Sequence, residues 1–171
     1  MLAENQEGHR LVRLLDGAEG ELPGLGNLTH ARLVARHDER VLLVFDRRTQ
    51  RWQLPGGAIE AGETARVCAA RELREESSNE CSPDSLRFLF GFELFLYGTR
   101  FDQHPRTELG ALFEVPIHHL ASFIPTEEIG ATLWWSGSEL SHELDGIDAQ
   151  LIQLARPIAP AADQELSETT L

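Results

Sequence analysis

The chain has 171 residues, with 28 Asp and Glu against 15 Lys and Arg and a formal charge of -13. So acidic a surface repels nucleic acid and anionic membrane, and a small anionic ligand needs a local cation to bind. Every basic residue is Arg, which excludes a Schiff-base lysine or a P-loop lysine, and the length suits one domain whose core needs no disulfide.

Residues 1–10 carry Glu4 and Glu7 where a signal peptide has a basic flank and an apolar run, and no stretch reaches membrane-spanning length. Cys68 and Cys81 form no CxxC pair, so neither a zinc knuckle nor a disulfide framework is predicted. A soluble protein of the reducing cytoplasm is the expectation. Residues 9–15 suit a short strand, and the Gly-rich stretch 16–27 separates it from the next strand, so 1–27 reads as an N-terminal arm. The main domain is expected over 28–156.

Strands are predicted at 28–36 and 41–45, joined as a β-hairpin by the polar turn 37–40. The loop 46–51 carries Arg47, Arg48 and Arg51, which read as a solvated turn or as a contact for substrate phosphate. The stretch from Trp52 ends in Gly56 and Gly57, whose backbone freedom lets carbonyl oxygens approach a ligand closely.

Thr64 is the expected N-cap of a helix running to about residue 77. Glu72, Glu75 and Glu76 then stand at i, i+3 and i+4 on one face, with Cβ atoms roughly 5–6 Å apart. Each like-charge pair costs roughly 0.2–0.5 kcal/mol, and the dipole at the helix C-terminus adds roughly 0.3–1 kcal/mol per anion. A bound hard cation reverses the sign of all these terms, so the cluster points to a divalent-metal site. The plainer alternative is a solvated face balanced by Arg71 and Arg74. Ala65, Cys68 and Ala69, on or beside the same face, are small enough for close packing.

A central strand is predicted at 86–97, with Leu86, Phe88, Phe90 and Phe92 on one face. After the polar loop 98–107, two more strands are expected at 108–117 and 128–135, where Trp134 and Trp135 face opposite sides. The pattern at 138–155 is a helix burying Leu140, Leu144, Ile147, Leu151 and Leu154, kinked at Asp145-Gly146. Residues 157–171 read as a disordered tail. Trp52, Tyr97 and Phe101 are candidates for stacking on a base, although packing is the commoner use. His118-His119 shows no ligand spacing, and His30, His37, His104 and His142 are scattered as surface or turn residues.

The stretch from Trp52 to Glu76 resembles the Nudix hydrolases, whose signature is GX5EX7REUXEEXGU with U aliphatic. Gly57, Glu63, Arg71, Glu72, Leu73, Glu75 and Glu76 match in register. Ser78 and Asn79 depart from the closing Gly and aliphatic positions. Asn tolerates left-handed backbone angles, so a helix exit displaced by one residue to Asn79 is expected.

The resemblance implies an α/β fold, the family's α/β/α sandwich with a mixed β-sheet. It implies Mg²⁺ or Mn²⁺ held by Glu72, Glu75 and Glu76, with a carbonyl of Gly56 or Gly57 as a further ligand. Arg71 would pair with the neighbouring carboxylates, and Glu63 would brace the loop-helix junction. The implied reaction is attack of water on phosphorus in a diphosphate linkage, either of a nucleoside diphosphate joined to another moiety or of a nucleoside triphosphate. Glu76 is the first candidate for the base and Glu75 the second, while Glu108, Glu127 and Glu128 are candidates on later segments. Two other readings are a catalytically weak ligand-binding module and an isopentenyl diphosphate isomerase, although no convincing catalytic Cys and Glu pair is present. The expected partner is a small diphosphate compound, with no nucleic acid polymer and no membrane. The family often dimerises, and the N-terminal arm is the candidate element for a homodimer.

Overall fold

A computed structural model describes residues 1–98, 104–137, 140 and 143–155. The predicted tail at 157–171, Phe101 and His142 lie outside the described residues.

Nine strands form one mixed sheet among the described residues. They are β1 (Ala3–Glu4), β2 (Arg10–Leu15), β3 (Leu28–His37), β4 (Arg40–Asp46), β5 (Arg51–Gln53), β6 (Gly56–Ala58), β7 (Arg87–Leu96), β8 (Arg106–Pro116) and β9 (Ile129–Trp135). The helices are the single turn α1 (Leu22–Leu25), then α2 (Ala65–Ser77) and α3 (Gly146–Leu154). The strand order is β1-β2-β7-β8-β3-β4-β5, with β6 on β3 and β9 on β4. Strands β3 and β8 run parallel, and the other pairs are antiparallel.

The period-2 pattern of β3 sets the layers. Ala31, Leu33 and Ala35 pack with Cys68, Ala69 and Leu73 of α2 on one face. Val34 packs with Ile147, Leu151 and Ile152 of α3 on the other. A helix on each face of a mixed sheet is the expected α/β/α sandwich. Burial of a side chain such as Leu33 or Leu73, both fully enclosed, is worth about 1.5–3 kcal/mol. Truncating Leu73 to Ala would cost about 2–5 kcal/mol through the cavity it leaves. Trp134 and Trp135 divide as alternation requires, one toward each core.

The hairpin of β3 and β4 pairs only at Arg36 with Val41 and His37 with Arg40. Beyond that the strands separate, and β6 enters the gap to pair with His30, Ala31 and Arg32. The divergence places the glycine loop in the middle of the sheet. Strand β2 pairs with β7, so residues of the expected arm are joined to the sheet edge of their own chain.

Three expectations are corrected. The register of β7 against β8 slips between Phe88 and Phe90, so a bulge at Leu89 reverses the facing. Leu86 and Phe88 pack on the α2 side, and Phe90 and Phe92 on the α3 side. Asp145-Gly146 is no kink: α3 begins at Gly146, and the Asp145 carboxylate caps it by accepting the Ile147 and Asp148 amides. Leu144 instead bridges to Trp52, and Leu154 is partly exposed. The exit of α2 is not displaced either. Ser78 itself adopts φ 62°, while Asn79 is buried and its side chain ties Ser77 to the Ala121 amide. No helix among the described residues is long and apolar enough to cross a membrane.

Candidate active site

Thr64 caps α2, its hydroxyl accepting the Val67 amide at 3.3 Å. The small buried residues Ala65, Cys68 and Ala69 let the helix approach the β6 backbone. The Cys68 thiol lies 3.4 Å from the Ala58 carbonyl, and burial pushes it up to about 12, which makes it a packing group and no nucleophile.

The three carboxylates of the helix meet different surroundings. Glu76 is 6 % exposed, and its Oε2 accepts the Gly56 amide at 2.9 Å. Burial pushes its carboxyl up to about 8; the Gly56 hydrogen bond opposes this, and the charges of Glu72 and Glu128 add to it. Glu72 reaches the glycine loop beside it, so closely that a Cβ on Gly57 would overlap its carboxylate. Burial raises Glu72 also, with Arg71 opposing. Glu75 is 52 % exposed and stays on the solvent side.

Arg71 joins these groups. Its Nε and Nη2 donate to the two oxygens of Glu63 at 2.9 and 3.0 Å, a forked pair that holds the Glu63 carboxyl below its ordinary range. Its Nη1 donates to Glu72 at 2.7 Å and Glu75 at 3.2 Å, and its Nη2 also reaches the Ala58 carbonyl at 3.2 Å. Glu72 and Glu75 are thus drawn to one guanidinium nitrogen while Glu76 turns inward. Among the described residues no three His, Cys, Asp or Glu side chains are gathered closely enough to hold a metal ion as they stand.

Gly56 has φ 153°, and a Cβ there would overlap the Ala31 carbonyl, so only glycine fits. Its own carbonyl accepts from Arg32 Nη1 at 2.9 Å. Arg32 was not singled out from the sequence, yet it links the loop to a cavity of about 190 Å³ on the α3 face. Phe92, Leu94, Leu96 and Leu151 wall this cavity, and Arg32 and Asp148 line it. Asp148 is 2 % exposed; its Oδ2 accepts the Leu54 amide at 3.1 Å, and Arg32 Nε stands 3.6 Å from its Oδ1. Burial, with the charge of Asp145 adding, pushes the Asp148 carboxyl up to about 7 against Arg32 and the Leu54 amide. Both residues had a legible signal. Arg32 interrupts an apolar strand on the face of Val34, and Asp148 lies three positions before Leu151 on the buried stripe of α3.

Glu108 is buried and fully engaged, by Thr29, by Arg106 and by His30 at 3.1 Å. These contacts, the His30 hydrogen bond foremost, hold its carboxyl down to about 2. His30, read as a surface or turn residue, is instead half-buried at the cavity. Glu127 and Glu128 are exposed ahead of β9, although the charge of Glu128 is felt at Glu76. Arg48 lines the cavity and pairs with Glu7 and Asp46. Trp52 packs edge-on against Phe45, and Tyr97 lies against Phe95 with Arg10 over its ring.

An acid-lined glycine loop is thus seated against a capped helix, with a polar-floored cavity across the sheet. The chain belongs to the NUDIX domain family, whose model matches residues 28–155. Among relatives it is 33% identical over 115 residues to the Putative 8-oxo-dGTP diphosphatase 2 of Mycobacterium tuberculosis, covering 66% of this chain and 74% of that protein. The MutT-like protein of Streptomyces ambofaciens is 35% identical over 76 residues, 44% of this chain and 49% of its own. In fold the chain is similar to a Bacillus subtilis pyrophosphohydrolase, with a TM-score of 0.66 at 19% identity over 90% of this chain and 93% of that one. The NUDIX domain of Shewanella oneidensis NrtR, solved with ADP ribose, gives 0.57 at 22% identity over 82% and 97%.

Proposed function

We propose that this Nudix pyrophosphohydrolase cleaves a diphosphate linkage with the help of Mg²⁺ or Mn²⁺. The substrate is a nucleoside diphosphate joined to another moiety, or a nucleoside triphosphate. The observation that carries this reading is the seating of Glu76 and Glu72 on the amide of Gly56 and the backbone of Gly57. The donor set fits a hard cation: carboxylates and backbone oxygen, with a glycine where a side chain would fill the approach of Glu72. Glu72, Glu75 and Glu76, with a carbonyl of Gly56 or Gly57, would hold it. Of the two, the Gly56 carbonyl already accepts from Arg32. When bound, the cation neutralises diphosphate oxygens and lowers the cost of charge on the leaving phosphate.

Glu76 takes a proton from the attacking water as the oxygen–phosphorus bond forms and the bridging phosphorus–oxygen bond breaks. Its inward position fixes its orientation through the Gly56 amide, and a neighbouring cation favours the ionised form that a base needs. Arg71 and Glu63 act as positioning residues, holding Glu72 and Glu75 at the loop. Glu75 is the second candidate for the base, and Glu108, with every contact taken, is the weaker choice beside Glu128.

An isomerase acting through Cys68 is disfavoured by the buried, hydrogen-bonded thiol. The two free cysteines support a reducing, cytoplasmic setting. The test is release of phosphate or diphosphate from nucleoside triphosphates, nucleotide sugars, dinucleoside polyphosphates and ADP-ribose with Mg²⁺ or Mn²⁺. Glu76→Gln keeps an acceptor for the Gly56 amide, so it should fold normally and lose most activity. Turnover by this variant at the parent rate would remove Glu76 from the base role.

A further inference from the structure

The Arg32 side chain is 24 % exposed. Burial works against its charge, and the carboxylates of Asp148, Glu76, Asp145 and Glu72 around it more than offset that effect. An arginine beside a carboxylate ordinarily directs its hydrogen bonds there. Arg32 does not: Nε stands 3.6 Å from Asp148 Oδ1, beyond hydrogen-bond reach, while Nη1 donates to the neutral Gly56 carbonyl at 2.9 Å. The side chain lies across the glycine to get there. A Cβ on Gly56 would come within 2.9 Å of the Arg32 Cα and Cδ, so the arginine stem covers the face that a side chain would occupy. Gly56 is therefore held at both of its backbone groups, the amide by Glu76 Oε2 at 2.9 Å and the carbonyl by Arg32.

We propose that Arg32 is a positioning residue for the reaction: by holding the Gly56 carbonyl it fixes the glycine whose amide orients Glu76. The inference rests on the hydrolase reading above, in which Glu76 takes the proton from water. Strand pairing alone cannot fix this residue. Leu33 donates to the Pro55 carbonyl and Ile59 to the Thr29 carbonyl, which sets the alternation between β3 and β6. In that alternation Arg32 and Gly56 are a non-hydrogen-bonded pair, whose backbone groups turn away from the neighbouring strand. β3 thus offers neither the Gly56 amide nor its carbonyl a partner, and the Glu76 and Arg32 side chains supply both. Glycine is the freest link in a backbone, so its torsions are set here from outside the residue. The carbonyl has two lone pairs, and the bond to Arg32 does not exclude its use as a cation ligand.

The test is amide hydrogen exchange by NMR on the parent protein, Arg32→Met and Arg32→Lys, with neither metal nor substrate present. Three amides report separately: Gly56 on the bond to Glu76, Leu54 on the bond to Asp148, and Ile117, bonded to the Arg36 carbonyl, on the sheet as a whole. In Arg32→Met, exchange at Gly56 should rise by about tenfold or more relative to Ile117. Arg32→Lys keeps the charge but ends one atom short of Nη1, and should raise the same ratio by about threefold or more. On whichever diphosphate compound the parent turns over fastest, Arg32→Met should lower kcat by about 10- to 100-fold and leave KM within about threefold. A Gly56 rate unchanged in whichever variant folds would overturn the proposal. Faster exchange at Leu54 alone would do so too, since Arg32 would then be only a counter-charge for Asp148. A loss confined to KM would mark a substrate contact and overturn it equally. Hydrolysis by the parent with no effect at Gly56 in the variants refutes the proposal and leaves the hydrolase reading. An effect at Gly56 in a parent that hydrolyses no diphosphate refutes that reading and keeps the hold on the glycine.

Discussion

Gly57 and Glu72 share one volume: the place a side chain would take on the glycine is filled by the glutamate carboxylate. Gly57 lacks the left-handed φ of Gly56, so its identity is set by this approach and not by its backbone angles. Gly57→Ala should therefore fold and yet displace Glu72. A shift near 1 Å at a catalytic constellation costs about 10²-fold in rate, and that is the expected loss of kcat/KM. Initial-rate measurements beside circular dichroism melts decide it; an alanine variant with parent activity would show that Glu72 has no fixed role.

Arg71 makes its contacts through a planar fork that Lys cannot copy. Arg71→Lys should keep the charge while losing the paired bonds to Glu63 and the simultaneous hold on Glu72. The expected cost is about 1–3 kcal/mol in stability, with a larger fall in kcat than in KM. Denaturant unfolding and steady-state kinetics measure the two effects separately.

Ser78 ends α2 at φ 62°, a conformation that L-residues occupy at a cost and glycine does not. Ser78→Gly should raise stability by up to about 1 kcal/mol, less the extra freedom glycine gains when unfolded. In a chain of this size that is an increase of about 2–4 °C in Tm. A drop in Tm would mean that the Ser78 side chain has an unrecognised stabilising contact.

Glu108 provides a pH signature. Its carboxyl is held down from 4.5 to about 2, chiefly by His30, with Thr29 and Arg106 adding. A depressed folded-state value favours folding once the group ionises, so this stabilisation is complete above pH 4.5 and is lost as pH falls through about 2. Unfolding free energies of the parent protein should thus decline over that acid range more steeply than those of Glu108→Gln. Parallel profiles would exclude Glu108 as a source of acid sensitivity.

Local signals were enough for the glycine-loop side of the molecule. The cap at Thr64 and the carboxylate spacing on α2 are each decided by neighbours within a few residues, and each stands where its pattern placed it. Features that depend on distant partners were less legible. The bulge at Leu89 is defined by its register against β8, and apolar residues on both faces of β7 conceal the reversal. Asp145 looked like a break inside a helix because the Leu140 and Leu144 spacing continued the stripe. Its capping role required α3 to start there, with the Gly146 backbone close against the Glu4 carbonyl. The cavity residues Arg32 and Asp148 meet across more than a hundred positions of chain, so no window along the sequence contains both.

The stretch from Leu54 to Gly56 is held from both sides. Its first amide is bound by an acid of α3, and its last by an acid of α2. Two helices on opposite faces of the sheet thereby grip a single short crosspiece. Because neither grip can slip without breaking a buried hydrogen bond, the crosspiece fixes the separation between the α3-side cavity and the carboxylates of α2.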